Sequence, residues 1–232
     1  MTTLNEHRQP VGEPLGAWEP PPFPPGDVLA GRTARLDPLD PIAHAGALYE
    51  VFADAPDSLW TYMAFGPFTD ARHLEETLQA MVGYPDWVPY TIVVGDQPLG
   101  FASYLRIQPR DGVIEIGSIT FSPRLQRTTA ATESIYLMIR HCFDLGYRRC
   151  EWKCDDLNEP SREAAVRLGF TYEGTFRKAT WYKGRNRDTA WYSIVDTDWP
   201  ALDSALRRWL SPENFDADGQ QRRTLRHSRE GN

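Results

Sequence analysis

The chain has 232 residues, 41% of them hydrophobic and 12% aromatic, enough to bury the core of one large domain. Its 25 Lys and Arg against 32 Asp and Glu give a formal charge of −7, which excludes a nucleic-acid backbone as the main partner but allows local cationic clusters. Three cysteines, Cys142, Cys150 and Cys154, form no CxxC pair, and no run approaches the ~18 to 20 apolar residues of a membrane span, so we expect no disulfide framework, no metal and no membrane.

The first six residues lack a basic flank followed by an apolar run, so no signal peptide is expected and the protein reads as cytoplasmic. Residues 1–30 carry Pro10, Pro14, Pro20, Pro21, Pro22, Pro24 and Pro25, whose fixed φ angles and missing donors leave an extended arm. Trp18 and Phe23 are placed to pin that arm on its own domain or on a subunit mate, an arrangement compatible with a homodimer. Residues 33–39 alternate as a first strand, and Ile42, Ala45, Leu48, Tyr49 and Phe52 recur at helical spacing. A loop with Trp60, Tyr62, Phe65 and Phe68 follows, and then a helix through Leu74, Leu78, Met81 and Val82, capped by Thr69 or Asp70.

Strand signals over 90–94, 99–107 and 113–121, separated by turns at Gly95-Asp96 and Asp111-Gly112, predict an antiparallel meander. The period changes to 3.6 over 128–145, with Ile135, Met138, Ile139, Cys142 and Phe143 on one face and Gly146 as the stop. A strand at 149–154, a helix at 160–168 closed by Gly169, a strand pair at 170–181 and 189–195, and a helix at 199–210 complete the body. The fold class is therefore α+β, one domain over 31–210 layered on a mixed, mostly antiparallel sheet. Residues 211–232 read as a polar, frayed tail.

Three local sequences stand out for chemistry. The first runs from Ile114 through Glu115, Phe121 and Arg124-Leu-Gln-Arg-Thr-Thr-Ala-Ala131, a strand passing through a loop into a helix. A helix start offers unpaired N–H groups and a positive dipole end, and Arg124 and Arg127 add charge, so this piece suits a pyrophosphate. The second, residues 145–161, ends in Asn158-Glu-Pro-Ser161; the third is Leu168-Gly-Phe-Thr-Tyr-Glu-Gly-Thr-Phe176.

In this order and spacing the three pieces resemble the GNAT acyltransferases, in particular the RimJ/RimL-type branch, over roughly residues 32–210. The resemblance implies a GNAT fold and transfer of an acetyl group from acetyl-CoA, as cosubstrate, to a small-molecule or peptide amine. It implies that Phe121, Arg124, Gln126, Arg127, Thr128, Thr129, Ala130 and Ala131 hold CoA, with Thr129 where the family carries glycine. It also implies a split between the strands at 116–121 and 152–155 for the pantetheine arm.

An alkyl amine must lose a proton before it attacks, and Glu115 is the candidate base, directly or through water. The position at which many relatives carry a tyrosine acid is Ala165, so the resemblance points to Ser161 as the hydroxyl near the sulfur, with Asn158 on the pantetheine or positioning the helix. For the acceptor, Trp60, Tyr62 and Phe65 in the aromatic loop and Trp181 and Tyr182 before the hairpin 183–188 offer aromatic faces to an alkylammonium. The competing reading is a catalytically degenerate module of the same fold that binds CoA or a partner.

Overall fold

The computed structural model describes residues 3–230. A short ribbon of β1 (Thr3–Leu4) and β2 (Pro10–Val11) forms a sheet of its own. The main sheet contains β3 (Leu29–Ala30), β4 (Arg35–Pro38), β5 (Val88–Val94), β6 (Gln97–Gln108), β7 (Val113–Phe121), β8 (Arg149–Asp155), β9 (Thr171–Tyr182) and β10 (Arg185–Val195). Their order is β3-β4-β5-β6-β7-β8-β10-β9, and every neighbouring pair is antiparallel except β7 and β8. The expected α+β architecture is present.

Alternation along β6 sends its side chains into two separate cores. Phe101 packs with α1 (Pro41–Ala53) and α2 (Ala71–Gly83), among Leu48, Phe52, Trp60, Leu74 and Leu78. Ala102 and Tyr104 face the other way, into the larger core of α3 (Thr129–Asp144), α4 (Glu159–Leu168) and α5 (Trp199–Leu210). The helix starts follow side-chain chemistry: Asp40 caps α1, and Asp70, not Thr69, caps α2 by accepting from His73 N at 2.8 Å. Ile42 and Val82, read as core positions, are exposed; each lies beyond the edge of its helix's buried stripe. The predicted stops at Gly146 and Gly169 hold, with φ of +95° and +103°, conformations open to glycine without steric cost.

The first strand begins later than its alternation suggests. The amides of Arg32, Thr33 and Ala34 bond instead to the Glu133 carboxylate of α3, at 2.9, 2.5 and 2.9 Å. Trp18 pins the arm as expected, its indole donating to Arg110 O at 3.3 Å beneath the Arg148 guanidinium. Phe23 does not; it is exposed, and buried Pro21 and Pro24 dock the arm, with Pro22 O accepting from the Tyr147 hydroxyl at 3.1 Å.

The C-terminal segment is not frayed. Past α5 the chain turns through a 3-10 segment, Pro212–Asn214, into α6 (Leu225–Glu230). Buried Asn214 bonds to Trp209 O, Arg223 O and Arg223 N, closing the return of the chain. Leu225 enters the main core, while Arg208 donates to Ser228 O and Arg229 to Val166 O. Polar composition misled here because these side chains are spent on backbone carbonyls rather than on water. Residues 231–232 of the expected tail and 1–2 of the arm lie outside the described residues.

Candidate functional site

β7 and β8 share only three parallel rungs, Val113↔Arg149, Ile114↔Cys150 and Glu115↔Glu151. Past them β7 continues to Phe121 paired with β6, and β8 continues to Asp155 paired with β10. Residues 116–121 and 152–155 therefore diverge, each with one edge unpaired to the other. A bulge lies where they part: Ser118 has φ +49° and the register against β6 slips between Phe101 and Ser103. Such an extra residue bends and twists its strand, here away from β8.

The far end of β7 leads into the turn before α3. Thr128 Oγ1 accepts from Ala131 N at 3.1 Å and caps the helix, and Gln126 Nε2 donates to Phe121 O at 3.0 Å, bracing the turn. Arg127 carries the left-handed φ, +61°, while Thr129 does not, so threonine in place of glycine meets no backbone obstacle. Among the described residues, the amides of Arg127, Thr129 and Ala130 have no protein acceptor. Three free donors at a helix start suit a diphosphate. Arg124 departs from expectation: it donates to Gln97 Oε1 at 2.6 Å and lines a cleft of about 360 Å³ together with the acidic Glu50, Asp54 and Asp96.

At the crotch of the split sits a charge cluster. Lys153 Nζ lies 2.8 Å from Glu115 Oε2 and 2.7 Å from Glu151 Oε2, ion-pair contacts not aligned as hydrogen bonds, and 3.6 Å over the Trp191 ring. Arg106 Nε is 3.4 Å from Glu115, and Arg149 Nε 2.8 Å from Glu151. Burial pushes the Glu115 carboxyl above its ordinary range, against the pull of Lys153 and then Arg106. Among the described residues its other oxygen, Oε1, has no hydrogen-bond donor; it borders Gly117, where a Cβ would stand 3.2 Å from it and 2.8 Å from Leu105 Cδ2. The glycine keeps that oxygen open. Neither Lys153 nor Gly117 was singled out in the sequence. The alternation Glu151-x-Lys153 in a central strand was the available signal, since charges there must pair.

On the opposite lip, Ser161 Oγ accepts from the Trp152 indole at 3.1 Å, which leaves the hydroxyl proton free to be given elsewhere. Asn158 caps α4 by accepting from Ser161 N at 3.3 Å. Burial raises the neighbouring Cys154 thiol above its ordinary range, while Ser161, Arg187 and Arg162 oppose. Ala165 is fully buried in the core.

The two aromatic regions meet. Lys183, at the β9–β10 tip, donates to Trp60 O at 2.8 Å and Phe65 O at 3.2 Å, joining the hairpin to the loop. Tyr62 and Phe65 are half-buried there, and the Tyr182 hydroxyl donates to Asp155 Oδ2 at 2.7 Å. Burial, then that bond, pushes the Tyr182 phenol upward, so it stays protonated. Two expectations change. Trp60 is 3% exposed, its ring edge-on to Phe52 and Phe68, so it is a packing residue whose carbonyl alone serves the site. Trp181 is 74% exposed, and among the described residues no other ring packs on it. Asp155 and Asp156 are engaged within the fold, with Tyr182 and Leu157 N, and with Thr175 and Arg162 respectively.

Among the described residues no cluster of His, Cys, Asp and Glu could hold a metal, and no helix is long and apolar enough to cross a membrane. The acetyltransferase (GNAT) domain family matches residues 35–171, more than half of the chain. A GCN5-related N-acetyltransferase from Brucella melitensis is 40% identical, superposes with a TM-score of 0.90, and aligns over 93% of this chain and 100% of its own. A GNAT-family acetyltransferase from Chromobacterium violaceum is also 40% identical, with a TM-score of 0.79 over 83% of this chain and 98% of that one. The Salmonella typhimurium acetyltransferase that modifies the N-terminal serine of ribosomal protein L7/L12 shares the fold, at 21% identity and a TM-score of 0.64 over 73% of this chain and 99% of its own. No curated protein matches the sequence.

Proposed function

Because the chain belongs to the GNAT acetyltransferase domain family, we propose that it takes an acetyl group from acetyl-CoA and delivers it to a primary amine, a protein N-terminus or a small molecule, by direct attack with both bound. The observation that carries this reading is the parting of β7 and β8 beside the free amides of the α3 turn. Acetyl-CoA supplies the acetyl group already activated as a thioester.

The chain's own residues divide the work. The amides of Arg127, Thr129 and Ala130 bind the pyrophosphate, in a turn held by Phe121, Gln126, Thr128 and Ala131. The unpaired edges at 116–121 and 152–155 orient the arm that enters between them. Glu115 takes the proton an alkylammonium must lose: its Oε1 is open, and its raised proton affinity brings it nearer to that task at neutral pH. Ser161 gives its proton to the departing sulfur, with Asn158 fixing the start of its helix. Tyr62, Phe65 and Tyr182 shape the acceptor side. The three local sequences favour a RimJ/RimL-like branch, and three free thiols suit the cytoplasm.

Purified protein incubated with acetyl-CoA and a panel of amines and peptides is expected to release free CoA thiol. Acetyl-CoA at 100 times its dissociation constant is expected to stabilise the fold by about 2.7 kcal/mol, seen as a rise in Tm. No rise at millimolar acetyl-CoA overturns the reading. A rise without thiol release for any amine favours the degenerate CoA-binding module, to which the clamping of Glu115 by Lys153 lends support.

A further inference from the structure

Among the described residues Arg187 is a half-buried cation with no carboxylate partner. It lies near the start of β10, opposite Thr180 of β9 and just before Thr189, which pairs with the last residue of β8, Asp155. Its Nε is shut off from solvent and donates to nothing, and among the described residues no hydrogen-bond acceptor or carboxylate partners its guanidinium. The other cations gathered around β8 are treated differently: Lys153 meets Glu115 and Glu151, Arg149 meets Glu151 and Glu173, and Arg162 meets Asp156. Partly removing a charge from water without an anionic partner is unfavourable, and the loss is recovered when an anion arrives.

The position says which anion. Arg187 Cζ stands 5.9 Å from the centroid of the Tyr182 ring, beside the Tyr182–Asp155 bond. The neighbouring Lys183 latches the same hairpin onto the aromatic loop, and Ala190, three residues on from Arg187, pairs with Cys154 of β8. Arg187 thus lies on the strand pair that joins the acceptor side to the end of β8, whose Trp152 holds Ser161. Its planar fork matches a carboxylate, and Asp155, Asp156 and Asp188 at the same strand ends repel a dianionic phosphate more strongly than a singly charged group.

We propose that Arg187 binds a carboxylate of the acceptor, so that the amine acetylated here belongs to an amino acid or a small amine carrying an acid group. This rests on the transferase reading above. The test compares the common amino acids with their carboxamides as acceptors, in the full-length protein and in Arg187→Gln and Arg187→Lys. One charge-assisted bond implies that the acids have KM values about 10- to 100-fold below their amides. Arg187→Gln is expected to close that gap and Arg187→Lys to retain part of it, while acetyl-CoA raises Tm in all three proteins. Equal use of acids and amides by the wild type, or an unchanged gap in Arg187→Gln, overturns the proposal. So does loss of the acetyl-CoA response in Arg187→Gln alone, which would assign Arg187 to CoA. If no acceptor turns over, N-acetyl amino acids and their amides are compared as ligands by thermal shift with CoA present. Absence of a carboxylate-dependent shift then overturns the role of Arg187, whereas absence of any acetyl-CoA response in the wild type overturns the transferase reading itself.

Discussion

Glu133 and Glu115 are both buried carboxylates, on opposite sides of the sheet, and the chain satisfies them by opposite means. Glu133 is saturated by neutral donors: three consecutive backbone amides and the Thr33 hydroxyl at 2.6 Å. It fastens α3 to the strand that opens the domain, and no oxygen is left over. Glu115 is balanced by cations instead, on one oxygen only, and a glycine holds space beside the other. Saturation by fixed dipoles makes a structural anchor. Neutralisation with an open oxygen leaves a group whose proton can come and go.

Several substitutions can break or sharpen that contrast. The largest effect is expected from Glu133→Ala, which leaves one buried and two part-buried amide hydrogen bonds unmade and should cost about 3 kcal/mol of stability in denaturant unfolding. Glu115→Gln should act on rate rather than on fold, lowering kcat about 100-fold while acetyl-CoA still raises Tm. If it unfolds the protein as Glu133→Ala does, the two carboxylates are alike and the contrast is wrong. Gly117→Val places atoms against Leu105 and Glu115 Oε1; about 1 to 3 kcal/mol of strain is expected, together with lost turnover. Thr128→Ala removes the α3 cap at a cost of about 1 kcal/mol, with weaker acetyl-CoA binding by calorimetry.

The smallest effect is in pH. Burial makes folded Glu115 hold its proton more tightly than the unfolded chain does. Between the two pKa values the folded state therefore binds more protons, so this group's contribution to stability is fully present below the unfolded pKa and declines as pH rises through the folded one. Activity runs the other way, since a base must be ionised: its acid limb should fall above the ordinary carboxylate range. A wild-type and Glu115→Gln pair with parallel stability curves between pH 4 and 7 would show that the group titrates alike in both states.

The elements that frame this contrast were legible in the sequence because each rests on local signals. Alternation over 113–121, Thr128 at a helix start and glycines at 146 and 169 all reappear in the structure. Resemblance supplied the split, and the three-rung pairing of β7 with β8 bears it out. What could not be read was how charges far apart in the chain find one another. Lys153 pairs with Glu115 from 38 positions away because two parallel strands happen to be in register at the rung where they part. Trp60 and Trp181 look equivalent as aromatic letters, yet one packs under a helix pair and the other lies in water. The tail at 211–230 was misjudged because polar residues bonding to carbonyls look, in sequence, like residues bonding to solvent.

The tie made by Lys183 has a consequence for the doorway of the acceptor side. A single ammonium bolts the hairpin to the loop through two carbonyl oxygens, and desolvation already loosens its hold on the third proton. As solution turns alkaline that bolt weakens ahead of an ordinary lysine. The rim of the opening then gains slack while the strands, caps and cores behind it stay as they are.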